Sequence, residues 1–448
     1  MEADGLMSEP EPFLRIPPFP GAKVRSLVRA RSAPAEVPSD QELDTLLTQA
    51  GGDGTASDRR ARFRKELERF EYVNPFTGGV MTPAEAVQLC VFWRDLIESN
   101  RDIGSAVGFA FWKRPTVAPL LWNGSAEVRF VSRLKDVDRS RGVAIWKART
   151  PPELLAELES SGLTLVEVED GFIRSAGLGA DCVPPLSITV DRLGVHFDAS
   201  APSELERLIQ DGPFPADLIE RAARLRKLIV ASGVGKYGAG LSASPTRTAA
   251  KTYVLVPGQV EDDRAVLSGS GVKTNVDLLR RVREERPDAQ IIYKPHPDVE
   301  AGHRAGALSD EEALRFADEV VRDAAIGGLI AMADEVHVIS SLAGFEALLR
   351  HKPVTTYGAP FYAGWGLTRD LGPVPERRTA KRSVDELVAA TLLLYPRYLD
   401  PISGLPCPPE ILIRRIAEGS SAQARGIVVQ LRRLQGRWKK RLAGGARG

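Results

Sequence analysis

Short apolar segments alternate with amphipathic helical segments along most of this chain, and the whole pattern occurs twice. The apolar segments have the length of buried strands, and the segments between them have the period of helices that cover a sheet. We therefore predict an α/β protein with two doubly wound, Rossmann-like domains that face a cleft. The strands are expected near 106–112, 143–146 and 163–168 in the first set, and near 253–256, 290–293, 335–339 and 354–357 in the second.

The interruption between the two sets indicates the domain boundary. A helix expected at 215–231 leads into a segment rich in Gly, Ser, Thr and Pro, which contains Lys236 and Tyr237 and is typical of a hinge. The expected divisions are a mobile leader at 1–70, an N-terminal Rossmann-like domain at 71–248, a C-terminal Rossmann-like domain at 249–400 and a helical, basic tail at 401–448.

The charge of the chain is balanced overall but not locally. The 448 residues include 60 Lys and Arg and 59 Asp and Glu, so the net charge is only +1 and gives no reason to expect nucleic-acid binding. Residues 419–448, however, hold eight Lys and Arg and no acid, interleaved with Leu431 and Trp438. Such a tail is typical of an amphipathic helix on an anionic membrane surface, and a disordered basic end is the alternative.

Several classes of protein are excluded by what the sequence lacks. No apolar stretch approaches the ~20 residues of a membrane span, and the acidic N-terminus lacks the features of a secretory signal, so we expect a cytoplasmic protein. Cys90, Cys182 and Cys407 are too far apart to form a CxxC pair, and no HxxxH or HExxH pattern occurs. A metal cofactor is therefore not expected.

A serine pair provides the first candidate site. Ser340 and Ser341 follow an expected strand and begin an expected helix, where hydroxyls and backbone N–H groups favour an anion such as phosphate. Glu346 lies one turn further on and is within reach of two ribose hydroxyls. The alternative is a serine cap on an ordinary helix with an exposed glutamate.

A Lys-Pro-His-Pro sequence provides the second candidate. Lys294 and His296 follow another expected strand, and the two prolines stiffen the position of the histidine. Either side chain can bind a phosphate leaving group, and the histidine can also protonate it. A purely structural histidine at the end of a strand is the alternative.

Two acidic clusters are expected at the mouth of the cleft. Glu169 and Asp170 follow a strand of the first domain, whereas Glu261, Asp262 and Asp263 follow a strand of the second. Glycosyl transfer needs carboxylates on both sides of a cleft, because one activates or protonates oxygen while another attacks the anomeric carbon. Solvated loop carboxylates are the alternative for either cluster, and a metal site at the second cluster is a minority reading.

Six motifs run in a fixed order along the chain. They are EDGFIRSAGLGAD at 169–181, PPLS at 184–187, PGQVEDD at 257–263, YKPHPD at 293–298, SSLAGFE at 340–346 and PFYAGWG at 360–366. Together they resemble the bacterial capsule-polysaccharide β-Kdo transferases of the KpsC type, which have a GT-B fold. Members of that family commonly carry two modules in tandem, and this chain is similar to the second module alone.

The resemblance implies transfer of Kdo from CMP-β-Kdo with retention of configuration, by double displacement through a glycosyl-enzyme adduct. Asp263 matches the family nucleophile, and Glu169 and Asp170 match the acidic motif that serves the acceptor. His296, Ser340, Ser341 and Glu346 match the CMP-binding set, to which we add Lys294 and Gln259 as candidates from their motifs.

The same resemblance implies the surroundings of the reaction. The acceptor would be a lysophosphatidylglycerol or a Kdo-linked lipid, and the enzyme would act at the inner membrane as a peripheral protein, with other capsule biosynthesis proteins as candidate partners. Helix dipoles, hydroxyls and a His or Lys can carry the charge of a leaving nucleoside monophosphate without a metal or other cofactor. Arg174 or Lys236 is a candidate for the carboxylate of Kdo.

Two alternatives of other kinds remain at this point. One is a non-catalytic capsule assembly or export protein that binds a lipid-linked glycan. The other is a CMP-sialic acid transferase, because both sugars are acidic 2-ulosonic acids.

Overall fold

The computed structural model describes residues 12–31, 38–51, 55–175, 182–235, 238–239, 247, 251–267, 271–302 and 304–420. Two large sheets and two small ones account for the strands. In chain order the strands are β1 (Val28–Ala30), β2 (Phe70–Val73), β3 (Val80–Met81), β4 (Ile103–Val107), β5 (Arg129–Val131), β6 (Gly142–Ile145), β7 (Leu165–Asp170), β8 (Ser187–Asp191), β9 (Val234–Gly235), β10 (Gly238–Ala239), β11 (Tyr253–Pro257), β12 (Gln290–Lys294), β13 (Glu319–Val320), β14 (Glu335–Val338), β15 (Val354–Thr356), β16 (Arg369–Asp370), β17 (Pro396–Leu399) and β18 (Pro406–Cys407).

The helices cover both faces of the large sheets. In chain order they are α1 (Asp40–Ala50), α2 (Ala56–Arg69), α3 (Pro83–Glu98), α4 (Arg114–Val117), α5 (Pro152–Ser160), α6 (Glu204–Asp211), α7 (Ala216–Ser232), α8 (Arg264–Leu267), α9 (Asn275–Glu285), α10 (Pro297–Glu300), α11 (Asp310–Leu314), α12 (Ile326–Met332), α13 (Leu342–Leu348), α14 (Val384–Val388) and α15 (Pro409–Ala417). No helix among the described residues is long and apolar enough to cross a membrane.

The second large sheet has six parallel strands in the order β13-β12-β11-β14-β15-β16. Every residue of the central strand β11 is buried, which explains the unbroken apolar run in its sequence. The chain winds outward from β11 through β12 and then crosses back to β14. The gap between the ends of β11 and β14 is therefore a topological switch point, where open sheets bind their ligands.

The first large sheet has seven strands in the order β18-β17-β8-β7-β6-β4-β5. Strands β5, β4, β6 and β7 are parallel, as expected, whereas β8 runs antiparallel to β7. The winding reverses between β4 and β6, which places a second switch point there. The α/β class with two wound domains is thus confirmed, although this sheet is mixed.

The C-terminal boundary expected near residue 400 is wrong. Strand β17 pairs antiparallel with β8 of the first sheet, with Tyr398 opposite Ser187, and β18 extends the same edge. Helix α15 packs nearby, with Arg221 Nε 2.8 Å from Glu410 Oε1. The physical reason is that β8 would otherwise be an open edge. Of the expected basic tail, residues 421–448 lie outside the described residues.

The expected mobile leader is also corrected for the residues that the structure describes. Leu14 and Phe19 are buried in the main core, where the Phe19 ring lies 5.1 Å from that of Trp122. Helix α1 begins in a capping box formed by Ser39 and Glu42. These segments pack because they carry apolar side chains and helix-capping residues between their prolines.

The expected hinge is described only in part. Helix α7 ends at Gly233, which has a left-handed backbone conformation, and β9 then pairs with β10. Lys236 and Tyr237 lie outside the described residues. The chain crosses between the domains a second time through a π-helix at Ala389–Leu394, just before β17.

Candidate active site

A cleft of about 1100 Å³ lies between the two large sheets at the carboxyl ends of their parallel strands. It is lined by loops from both domains, including those that follow β4, β6, β7, β11, β12 and β14. All nine candidate site residues line it: Glu169, Asp170, Gln259, Asp263, Lys294, His296, Ser340, Ser341 and Glu346. The structure therefore brings together residues that are up to 177 positions apart in the sequence.

Gln259 and Ser340 join the two strands that flank the switch point of the second sheet. The Gln259 amide donates to Ser340 Oγ at 2.6 Å and accepts from the Ser340 backbone N–H at 3.1 Å. The backbone of Gln259 is fixed in turn by Asn275, whose Oδ1 accepts from the Gln259 N–H at 2.8 Å. Gln259 thus orients the serine. Within the described part of the chain, the acceptor for the proton of the Ser340 hydroxyl is the distant Ala265 O, at 3.5 Å.

The first turn of α13 packs closely against Tyr362. The Tyr362 hydroxyl donates to the backbone carbonyl of Ser341. A Cβ on Gly344 would lie 2.3 Å from that hydroxyl, so only glycine fits there. Ser341 Oγ accepts from the Ala343 N–H at 3.3 Å, which leaves the serine O–H able to donate into the cleft. The PFYAGWG motif, whose role the sequence does not reveal, therefore holds the serine loop in place.

His296 is held in one tautomer by its own helix. It caps α10, and its Nδ1 accepts a hydrogen bond from the Asp298 backbone N–H at 3.1 Å. In the neutral ring the proton must then lie on Nε2. His296 lines the cleft, so this N–H is a donor suited to a phosphate oxygen.

The ammonium group of Lys294 binds a backbone carbonyl of the protein, a structural contact that its motif does not suggest. Its ammonium donates to the backbone carbonyl of Arg322, and burial lowers the pKa of Lys294. The residue lines the cleft but is largely buried. Its contact therefore fixes the end of β12 beside His296.

The three acids at 261–263 have three different settings. Glu261 Oε1 accepts from the Asn275 N–H at 2.8 Å and so caps α9. Asp262 is exposed and pairs with Arg304 at 3.1 Å. Asp263 lines the cleft, and its Oδ1 accepts from the Ala265 N–H at 3.0 Å. Asp263 thus differs from the two neighbouring acids, because its carboxylate is oriented by a backbone N–H of its own loop.

Arg264, which the motifs do not single out, connects the two domains. It follows Asp263 in the sequence, yet its Nη1 lies 2.9 Å from Glu167 Oε1 and 3.2 Å from Glu169 Oε1, both on β7. Residues 167 and 169 share one face of that strand. The only sequence signal for this contact is the position of Arg264 directly after the candidate nucleophile.

The pKa of Glu169 is shifted in the way that is typical of a catalytic acid or base. Burial and the charge of Asp170 raise the pKa of Glu169 to about 8, and Lys113 and Arg264 oppose the shift. A carboxyl group with a pKa near physiological pH can accept a proton and return it, which is the property required for general acid–base catalysis.

Asp170 is held by two cations. Arg174 Nε lies 2.8 Å from Asp170 Oδ2, and Lys113 Nζ lies 3.3 Å from Oδ1. The other Arg174 nitrogens donate to Ser175 Oγ and to the Val183 carbonyl. Arg174 lines the cleft but is only 1% exposed, and its contacts within the protein orient Asp170; its suggested role on the sugar carboxylate stays a prediction.

No group of three or more His, Cys, Asp or Glu side chains in the described part of the chain is arranged to hold a metal ion. The side chains that line the cleft include carboxylates, hydroxyls, two imidazoles and several cations. Such a set can stabilise a leaving phosphate on one side of the cleft and move a proton on the other.

Comparison with known proteins identifies relatives of this chain. A family model described as "Capsule polysaccharide biosynthesis protein" matches residues 142–238 and 218–398. Among curated proteins, the capsule polysaccharide modification protein LipA of Neisseria meningitidis is 40% identical over 342 residues, which cover 75% of this chain and 48% of LipA. The lipopolysaccharide-processing protein LpsZ of Rhizobium meliloti is 47% identical over 243 residues, or 53% of this chain and 55% of LpsZ. The chain thus spans about half the length of these relatives.

Two solved structures of Thermosulfurimonas dismutans KpsC match nearly their whole length. The β-Kdo 2,7 transferase is 35% identical with a TM-score of 0.57, and the match covers 71% of this chain and 99% of that one. The β-Kdo 2,4 transferase is 32% identical with a TM-score of 0.62 and coverages of 70% and 98%. The GT-B-like arrangement predicted from the sequence is thereby confirmed.

Proposed function

The chain belongs to the capsule polysaccharide biosynthesis protein family, and we propose that it is a glycosyltransferase that transfers Kdo in capsule synthesis. One observation carries the proposal: Arg264, adjacent to Asp263, contacts Glu169 across the cleft at 3.2 Å. The loop that carries the candidate nucleophile is therefore joined to the strand that carries the candidate base. The similarity to two KpsC Kdo transferases over nearly their whole length supports the same assignment.

The donor in this proposal is CMP-Kdo. Its phosphate would bind where His296 Nε2–H and the hydroxyls of Ser340 and Ser341 converge on the cleft. Glu346 lies on the first turns of α13 and would take the ribose hydroxyls. These donors would stabilise the charge that develops on CMP as it leaves.

The reaction would proceed in two displacements. In the first, an Asp263 carboxylate oxygen attacks C2 of Kdo, the bond from C2 to the phosphate oxygen breaks, and CMP leaves with both electrons. In the second, the acceptor hydroxyl attacks C2 while Glu169 takes its proton, and the bond from C2 to Asp263 breaks. Two inversions at C2 retain the β configuration.

The acceptor would be lysophosphatidylglycerol or a Kdo-linked lipid, bound on the Glu169 side of the cleft. With such an acceptor the enzyme would act at the inner membrane as a peripheral cytoplasmic protein, in reach of other capsule biosynthesis proteins. The basic residues of 421–448 are the proposed membrane contact and remain a prediction. Neither a metal nor another cofactor is part of the proposed reaction.

The test is a transfer assay with freshly generated CMP-Kdo and a Kdo-lipid acceptor, with CMP-sialic acid as a competing donor. We expect Kdo transfer by the wild-type protein, no effect of CMP-sialic acid, and loss of transfer in Asp263→Asn. The matched control is Asp262→Asn, whose exposed side chain also lines the cleft but is paired with Arg304. Mass spectrometry should locate the Kdo adduct on the peptide that contains Asp263.

If the wild-type protein releases CMP no faster than a reaction without protein, the proposal is rejected. A binding role in capsule assembly would then replace it. Transfer from CMP-sialic acid in preference to CMP-Kdo would reject the donor. Full activity of Asp263→Asn would reject the role of Asp263 as nucleophile but not the proposed transferase function.

A further inference from the structure

One buried ammonium at the cleft has no part in the reaction as proposed. Lys113 is 5% exposed, yet it lines the cleft beside Glu169 and Asp170. Its Nζ lies 3.1 Å from the centroid of the Trp146 ring and 3.3 Å from Asp170 Oδ1. The Trp112 ring is a weaker cation–π contact, with its centroid 5.4 Å from Nζ. An ammonium group has three N–H donors, and the two shorter contacts occupy two of them. The third remains for a group in the cleft.

The position of Lys113 in the fold is that of a ligand site. It lies in the loop after β4, and Trp146 follows β6, so the pair lies at the switch point of the first sheet. Gly108 allows this approach, because a Cβ there would lie 2.5 Å from the Trp146 carbonyl oxygen. In the second sheet, Gln259 and Ser340 lie at the switch point. Lys113 and Trp146 have the equivalent position in the first sheet.

The charges around Lys113 favour an anion. Lys113 belongs to a network of ion-paired side chains that contains four cations and three acids. The network therefore has a net charge of +1, and of +2 while Glu169 holds a proton. Arg149, an exposed residue that also lines the cleft, adds a further cation at the rim. The network consists of Lys113, Lys147, Arg174 and Arg264 with Glu167, Glu169 and Asp170.

We propose that Lys113 and Arg149, beside the ring of Trp112, form an acceptor subsite that binds the acidic group of the acceptor, a carboxylate or a phosphate. This inference rests on the proposed function and adds to it what the acceptor side recognises. The acidic group would satisfy the third donor of Lys113, and the partly exposed Trp112 ring would contact the apolar face of the sugar. The acceptor hydroxyl would then lie beside Glu169.

Recognition of the acidic group implies discrimination against neutral acceptors. A charge-assisted hydrogen bond to a buried ammonium contributes roughly 10- to 100-fold in affinity. An acceptor with an amide in place of the acid would leave the Lys113 donor facing a neutral group. The acidic acceptor should therefore bind roughly 10- to 100-fold more tightly than its amide.

The experiment measures binding and transfer with three soluble probes on the full chain. These are an alkyl Kdo glycoside with a free carboxylate, the carboxamide of the same glycoside, and an alkyl glycerol phosphate. Calorimetry gives the affinity of each probe, and transfer from CMP-Kdo gives kcat/KM. The variants are Lys113→Met and Arg149→Gln, and the matched control is Arg139→Gln, an exposed arginine at the opposite end of the same sheet.

The wild-type protein should prefer the carboxylate to its amide, and both variants should lose most of that preference while Arg139→Gln keeps it. Preference for the glycerol phosphate over the carboxylate would assign the subsite to the phosphate of the lipid. Equal affinity of the wild-type protein for the acid, the amide and the phosphate would overturn the inference. So would an equal loss for acid and amide in both variants, because that indicates a structural role.

The outcome is separable from that of the proposed function. Hydrolysis of CMP-Kdo without an acceptor tests the donor half alone, and calorimetry tests the subsite without any reaction. If the thermal melt shows that Lys113→Met does not fold, the exposed Arg149→Gln variant still tests the proposed subsite.

Discussion

Arg264 of the C-terminal domain donates across the cleft to Glu169 of the N-terminal domain, with 3.2 Å between Nη1 and Oε1. The same nitrogen lies 2.9 Å from Glu167. The contact links the loop that carries the candidate nucleophile to the strand that carries the candidate base. It also lowers the pKa of Glu169, against the larger effect of burial, so it influences both the position and the titration of the base.

The first prediction concerns the pH dependence of transfer. As a base, Glu169 must be unprotonated, and its pKa of about 8 means that the rate should rise with pH up to that region. In Arg264→Gln the pKa of Glu169 should be higher still, because a neighbouring cation is lost. We expect the acidic limb of the pH–rate profile to move to higher pH and transfer at pH 7 to fall roughly tenfold. Arg280→Gln on the exposed face of α9 is the control, and an unmoved acidic limb in Arg264→Gln would contradict the prediction.

The second prediction separates the two displacements. Glu169→Gln should slow only the second displacement, so transfer should fall by about 10²- to 10⁴-fold while the Kdo adduct on Asp263 accumulates. Intact-protein mass spectrometry after mixing with CMP-Kdo and acceptor measures the adduct. The exposed Glu153→Gln on α5 should turn over without accumulation. Absence of both adduct and transfer in Glu169→Gln would indicate that Glu169 acts before or during the first displacement.

The third prediction concerns the two nitrogens of His296. Asparagine can accept the Asp298 N–H bond that Nδ1 now accepts, but it does not reach the position of the Nε2 donor. Glutamine offers an N–H group nearer to that position. We expect His296→Asn to reduce kcat/KM for CMP-Kdo roughly 10- to 100-fold and His296→Gln to retain more activity, as measured by CMP release. Equal activities of the two variants would show that only the cap of α10 matters.

The fourth prediction concerns stability. In Gly344→Ala the new Cβ would meet the buried Tyr362 ring, with 2.3 Å to its hydroxyl oxygen. Overpacking of this kind costs about 1–3 kcal/mol, so the midpoint of thermal unfolding should fall. Gly327→Ala is the control, because its Cβ would lie 3.4 Å from only the mobile end of Arg350. Equal melting temperatures of the two variants would contradict the packing argument.

Much of the site follows from the sequence for a simple reason. Each candidate residue lies in a motif that follows an expected strand, and the ends of parallel strands meet at one edge of a sheet. Positions 169, 259, 296 and 340 could therefore be grouped without knowledge of the fold. The roles of these residues remain predictions, and Lys294 is placed with its ammonium on a backbone carbonyl.

Lys113 and Arg264 could not be found in this way. The apolar run at 106–112 indicates one long strand, but β4 ends at Val107 and the chain turns at Gly108, so Lys113 lies in a loop whose course only the fold defines. The partner of Arg264 is 95 positions away in the sequence. Long-range ion pairs of this kind depend on how the two domains meet, which local patterns do not encode.

The return of β17 to the first sheet has a consequence for synthesis on the ribosome. Every strand of the second sheet emerges before residues 396–399 do, so that sheet can be completed while β8 still has an unpaired edge. The domain that is translated first is therefore the last to be finished. Until then its open edge is a surface on which other nascent chains can add a strand, and the yield of folded protein should depend on how quickly residues 396–407 are translated.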